Sequence, residues 1–257
     1  MIIDAHVHLP VGEGLASLEE KKRRLLAEMA RNSVDRCVLI SDSELESEIG
    51  AADECVALCA GDDRVSVVAG ISPFIAFEAQ LEKLANWLRG GEIVGIKLFT
   101  GHEAFYLTDG RLEPVYALAE RYDVPVLFHS GWSDSQYGDA PLAAQVAMAH
   151  PKLKLVCCHC YYPNLDRCEP LLALPNVYFD LSSVADDPAI LDEIVGYARM
   201  LVSAAPGRVL FGSDYSGCSQ AEHLRFARSL SPDEATRAQV LAGVARKLYR
   251  IGAGIGG

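Results

Sequence analysis

Eight short runs rich in Val, Ile, Leu and Phe recur along the chain, near 2–8, 34–41, 65–71, 93–99, 124–129, 153–159, 176–182 and 208–213. Runs this apolar suit strands covered on both faces, as parallel strands are. The stretches between them read as helices. Ser17-Leu18-Glu19-Glu20 has the form of a capping box, and Leu18, Leu25, Leu26 and Met29 then share one helical face. Ser231-Pro232-Asp233-Glu234 combines a cap at Ser231, a proline suited to a first turn and early acids, opening a last helix toward Tyr249. Eight alternations without a shift in composition predict an α/β fold, a closed parallel (β/α)8 or TIM barrel, with a C-terminal helix. The 257 residues match the length of about 250 that one such domain needs, so residues 1–257 are read as a single domain ending in a loose Gly-rich tail, Gly252 to Gly257. A doubly wound open sheet has the same local period and is the alternative.

Half of the residues are hydrophobic, enough for a sizeable core, and the formal charge of −12 argues against a nucleic-acid or anionic-membrane surface. It leaves an acidic substrate open, because a bound cation inverts the field inside a pocket. No run approaches the roughly 18 apolar residues of a spanning helix. The start, MIIDAHVHLP, lacks the features of a secretory signal, so a cytoplasmic protein with reduced thiols is expected. The cluster Cys157, Cys158 and Cys160 lacks the paired CxxC spacing of a zinc knuckle and reads as buried free thiols.

His6-Val7-His8 is the strongest local signal. Strand side chains alternate, so the two imidazoles point to one face, at the strand end where barrel active sites lie. Alone, the pair could be ordinary polar residues at a strand end. But His129 ends a second apolar run, His159 a third, and Asp214 follows a fourth, Val209 to Ser213. Five potential ligands thus fall at the same end of strands 1, 5, 6 and 8, and neutral imidazoles with a carboxylate are the usual non-thiolate ligands of catalytic zinc.

These residues lie in blocks by which the chain resembles the amidohydrolase superfamily, in its compact amidohydrolase-related branch of barrel-fold metal hydrolases. The blocks are IIDAHVH at 2–8, VGIKLFTG at 94–101, VPVLFHSG at 124–131, KLVCCHC at 154–160, NVYFDLSS at 176–183 and RVLFGSDY at 208–215, in the family's order over nearly the whole chain. The resemblance implies that His6, His8, His129 and Asp214 hold a divalent metal, with zinc expected and one ion favoured over two. It also implies that His159 faces the substrate or activates water, or binds a second ion in two-metal relatives. Asp214 would in addition take a proton from the activated water, since a divalent cation brings the pKa of bound water to about 7.

Lys97 alternates with Gly95 and Phe99, so it should point into the barrel, away from the helix-facing Val94, Ile96 and Leu98. A buried ammonium is costly unless paired or altered. Either it pairs with an inward acid, Asp4 or Asp180, or, as in some relatives, it is carboxylated and bridges two metals; pairing and one metal are favoured. His102, Trp132, Tyr137, Tyr161, Tyr162 and Tyr215 lie beyond strand ends, and His102, Trp132 and Tyr161 are the candidates for a substrate pocket. Ser41-Asp42 and Ser182-Ser183 carry weaker claims, and Asp4 reads as support for the histidines.

The leading expectation is a metal-dependent hydrolase of a small amide, ester or lactone, with Asp214 moving the proton and His159 orienting the reacting oxygen. A metal-dependent decarboxylase of a small carboxylic acid, for example an aromatic one, is the near alternative. It would favour an arginine at a strand end, and none stands closer than Arg111. A non-catalytic metal-binding barrel is the third reading. A small-molecule substrate is expected, with neither nucleic acid nor membrane as a partner, and a homo-oligomer is compatible with everything above.

Overall fold

The computed structural model describes residues 1–12, 14, 17–131 and 136–252. Its strands are β1 (Ile3–Val7), β2 (Arg36–Ile40), β3 (Val65–Gly70), β4 (Gly95–Leu98), β5 (Pro125–Phe128), β6 (Lys154–Cys158), β7 (Val177–Asp180) and β8 (Val209–Leu210). They pair in parallel in chain order. The sheet curls back on itself, because the Ala5 N–H donates to Phe211 O at 2.9 Å and the Asp214 N–H to His6 O at 2.8 Å. The barrel expectation holds and the open sheet is excluded.

Between the strands run α1 (Leu18–Asn32), α2 (Ala52–Cys59), α3 (Phe77–Gly90), α4 (Glu113–Tyr122), α5 (Ala140–Ala149), α6 (Leu191–Ala204) and α7 (Gln220–Ser229). The connection from β6 to β7 is instead a 3₁₀ segment, Leu165–Ala173, with Pro170 inside it. A proline there removes one backbone donor and crowds the preceding turn, which disfavours a regular α-helix. The chain closes with α8 (Glu234–Ala238), a π-helical turn (Gln239–Gly243) and α9 (Val244–Leu248).

Ser17 caps α1 as expected, accepting from the Glu20 N–H at 3.3 Å, and Leu25 and Met29 are buried on the inner face. At the other end the cap is Asp233, not Ser231. The Asp233 carboxylate accepts from the Thr236 N–H at 2.6 Å, while the Ser231 hydroxyl accepts from the Asp233 N–H. The helix therefore starts two residues later, and Pro232 precedes it.

Strand alternation splits the core in two. Val7, Leu39, Ile96, Leu98, Phe128 and Phe179 face the helices. Ile3, Val38, Val68, Leu127, Val156 and Leu210 fill the barrel, together with Leu248 and Tyr249 from the chain's end. Phe99 lies inside, as its spacing from Lys97 predicts, whereas Val94, ahead of β4, joins the inner group rather than the helix-facing one. All eight cysteines are unpaired thiols, seven of them buried. Among the described residues no helix is long and apolar enough to cross a membrane.

Candidate functional site

The C-terminal ends of the strands open into a cavity of about 650 Å³, and His8, Lys97, His129, His159 and Asp214 all contribute to its wall. His6 lies just beneath, fully buried.

Each imidazole near Asp214 has one nitrogen tied back. His6 Nδ1–H donates to Asp180 Oδ2 at 2.5 Å, and His8 Nδ1–H donates to the Ile40 carbonyl at 2.8 Å. These bonds fix the tautomers, leaving both Nε2 atoms as bare acceptors. They face the same carboxylate oxygen: Asp214 Oδ1 is 3.5 Å from His6 Nε2 and 3.3 Å from His8 Nε2. Acceptors do not hydrogen-bond to one another, and His6 Nε2 is buried without any hydrogen-bond partner. A buried acceptor in that position is suited to a cation. The three donor atoms lie within 4.8 Å of one another, a set that fits one divalent ion.

The protonation states suit the same role. Burial lowers the His6, His129 and His159 pKa values, the last to about 3, so these rings are neutral. The Asp214 carboxyl lies well below the usual carboxylate range despite its burial, so it stays ionised. Neutral imidazoles and an ionised carboxylate are what metal ligation requires.

Asp180 and Ser182 organise this cluster from β7, although the sequence offered Asp180 only as a partner for Lys97. The Ser182 hydroxyl lies 3.0 Å from Asp180 Oδ2, 3.1 Å from His6 Nδ1 and 3.0 Å from His159 Nδ1. His159 Nδ1–H also donates to the Ser182 carbonyl at 3.2 Å, and the ring lines the cavity. Gly212 makes room for the arrangement, since a Cβ there would fall 2.5 Å from Asp180 Oδ1 and 2.8 Å from His6 Cβ. Asp180→Asn should lower metal affinity about 10- to 100-fold, because the amide no longer accepts both donors and stops enforcing the His6 tautomer. Competition with a chromogenic chelator would check this, and unchanged affinity would remove Asp180 from the site.

Asp4 supports the centre differently from expectation. It touches no imidazole ring. Its carboxylate accepts from Ser213 N at 2.9 Å, Ser213 Oγ at 2.6 Å and Gln220 Nε2 at 2.8 Å, and so anchors the turn that carries Asp214. Asp214 itself sits in the left-handed region at φ 59°, tolerable for an Asp held by its neighbours.

The other predicted residues divide. His129 lines the cavity but lies outside the group of three, its ring centroid 4.9 Å from His159 and 4.3 Å from His102. His102 is in the cavity wall as expected. Tyr161 is not: residues 159–161 all take left-handed backbone, with φ 63°, 49° and 58°, and this tight reversal turns Tyr161 into the core. Its hydroxyl donates to the Gly138 carbonyl at 2.9 Å. Tyr162 is buried as well, and Trp132 lies outside the described residues.

The expected pairing of Lys97 with Asp4 or Asp180 is absent, because both acids are already engaged. The ammonium donates instead to Cys158 Sγ at 3.2 Å and lies 5.3 Å from the Phe99 ring centroid. Asp42, Glu44 and Glu103 form part of the cavity's outer wall, together with Cys218. Glu103 accepts from Ser43 Oγ at 3.0 Å and from Ser72 Oγ, and burial raises its pKa. Asp42 is the acid that the sequence offered weakly after strand two, whereas Glu44 and Glu103 lie further along the loops after β2 and β4, where no strand-end pattern singles them out.

No curated protein is similar enough to the chain to match it, but solved structures are. An uncharacterized TIM-barrel protein from Bordetella bronchiseptica is 22% identical, over 96% of this chain and 97% of its own, with a TM-score of 0.77. A 5-carboxyvanillate decarboxylase from Sphingomonas paucimobilis is 18% identical, over 97% and 99%, with a TM-score of 0.70. A dihydroxybenzoic acid decarboxylase from Polaromonas sp., solved with bound manganese and 2-nitroresorcinol, is 15% identical, over 97% and 96%, with a TM-score of 0.68. At these identities the likeness speaks for the barrel alone. The sequence goes further: the amidohydrolase family model matches residues 3–251, nearly the entire chain, and the chain belongs to the amidohydrolase family.

Proposed function

We propose that the chain is a metal-dependent hydrolase of a small amide, ester or lactone. The observation that carries this reading is the buried His6 Nε2, which has no hydrogen-bond partner and is directed with His8 Nε2 at the Asp214 carboxylate. A divalent cation held there by His6, His8 and Asp214, with His129 as a further ligand, would polarise a carbonyl and acidify water at neutral pH. The chain's own residues supply the rest. Asp214, kept ionised, accepts the proton of the attacking water and returns it to the leaving group. His159, anchored through Nδ1 to Ser182, presents Nε2 as an acceptor that orients the water or a substrate hydroxyl. A barrel that merely stored metal would need neither group in the cavity.

Decarboxylation is the second reading, and one observation favours it. No arginine lines the cavity among the described residues, yet Lys97 does, and it can meet a substrate carboxylate. The test is a panel of N-acyl compounds, esters, lactones and hydroxybenzoic acids offered to protein loaded with zinc or manganese. Acid release from an acyl substrate, lost on chelation and restored by metal, is the expected result. Carbon dioxide from the aromatic acids, without acyl turnover, would establish the second reading instead.

A further inference from the structure

Lys97 is almost fully buried, with 1% of its surface exposed, yet it lines the cavity. Of the three N–H groups of its ammonium, one reaches the Cys158 thiol, and no carboxylate pairs with it among the described residues. The inward acids that might have done so are taken, Asp4 by Ser213 and Gln220, Asp180 by His6 and Ser182. A buried ammonium without a counter-charge is unfavourable, and a ligand that supplies the anion relieves that cost as it binds. Around this one cation the cavity is lopsided. Asp42, Glu44 and Glu103 line its outer part, and Lys97 is the only lysine or arginine among its described lining residues.

We infer that the substrate is a monoanion, its carboxylate held against the Lys97 ammonium and its uncharged or cationic end turned toward Asp42, Glu44 and Glu103. This deepens the metal-dependent reading above and rests on it. The acids on the outer wall make the selection two-sided. A second carboxylate on the substrate would meet three like charges there and none of opposite sign, so a dianion is refused by repulsion as well as by lack of a partner.

Benzoate, benzamide and phthalate are matched probes of this charge pattern, and their binding to metal-loaded protein is measured by titration calorimetry without any turnover. Benzoate should bind roughly 10- to 100-fold more tightly than benzamide, the range of a charge-assisted hydrogen bond, and more tightly than phthalate. In Lys97→Met, with metal content unchanged, the benzoate preference over benzamide should shrink severalfold or more. If that variant fails to fold, Glu103→Gln carries the test, because it should narrow the gap between benzoate and phthalate. Equal binding of benzoate and benzamide by the wild-type protein, or tighter binding of phthalate, would overturn the inference. So would an undiminished preference in Lys97→Met, or loss of its metal, which would place the lysine in the metal site. A protein that hydrolyses nothing yet keeps the benzoate preference would count only against the assigned reaction.

Discussion

Replacing His6 and His8 together by alanine should leave a folded protein that no longer holds metal. The wild-type protein, isolated without chelator, should carry about one equivalent of a divalent ion per chain, zinc by its donor set. Two of the three converging donor atoms disappear in the double variant. The remaining Asp214 carboxylate, even with His129, cannot replace a pair of imidazoles oriented through their Nδ1 atoms. Elemental analysis of the purified proteins decides the matter, with circular dichroism showing that the barrel persists. Wild-type stoichiometry in the double variant would sink the assignment. The pH dependence follows the same chemistry. Protons compete with the metal for the imidazoles, so occupancy falls with pH. Because burial lowers the His6 pKa, release should require more acid than an exposed histidine would predict.

Asp214→Asn should cut turnover by about 10²- to 10⁴-fold, the usual contribution of a general base. Asparagine is the informative replacement because it tolerates the left-handed backbone that position 214 adopts at φ 59°. It also keeps the shape beside His6 and His8 while losing the ability to take a proton at neutral pH. Since the carboxylate also belongs to the proposed ligand set, turnover must be compared at saturating metal, with the metal content of each assayed sample measured. Near-normal turnover with metal bound would show that the proton moves by another route.

A reader of the sequence alone reaches the barrel and most of the donors, because both are written in local order. An apolar run with a two-residue period determines a buried strand and the face each side chain takes. His6, His8, His129, His159 and Asp214 were therefore legible as groups at one end of one sheet. The same logic put Lys97 inside the barrel. What lies around these groups was not legible, since it depends on distant segments. Asp180 orients His6 across 174 positions of sequence, and nothing near either residue announces it. The pairing expected for Lys97 failed for the same reason: Asp4 and Asp180 were available in sequence but already engaged in space. Tyr161 was misplaced by a backbone reversal of three left-handed residues, a conformation that no side-chain period encodes.

The sequence by itself therefore determined the (β/α)8 topology and the rim on which the histidines stand, because strand period and side-chain alternation are local physics. Only the tertiary structure decided which nitrogen of His6 and of His8 is tied back, which acids are already satisfied, and that the buried Lys97 ammonium pairs with no carboxylate among the described residues. Those are matters of hydrogen-bond partners in a desolvated interior, and partners are assigned by closure of the barrel rather than by neighbours along the chain.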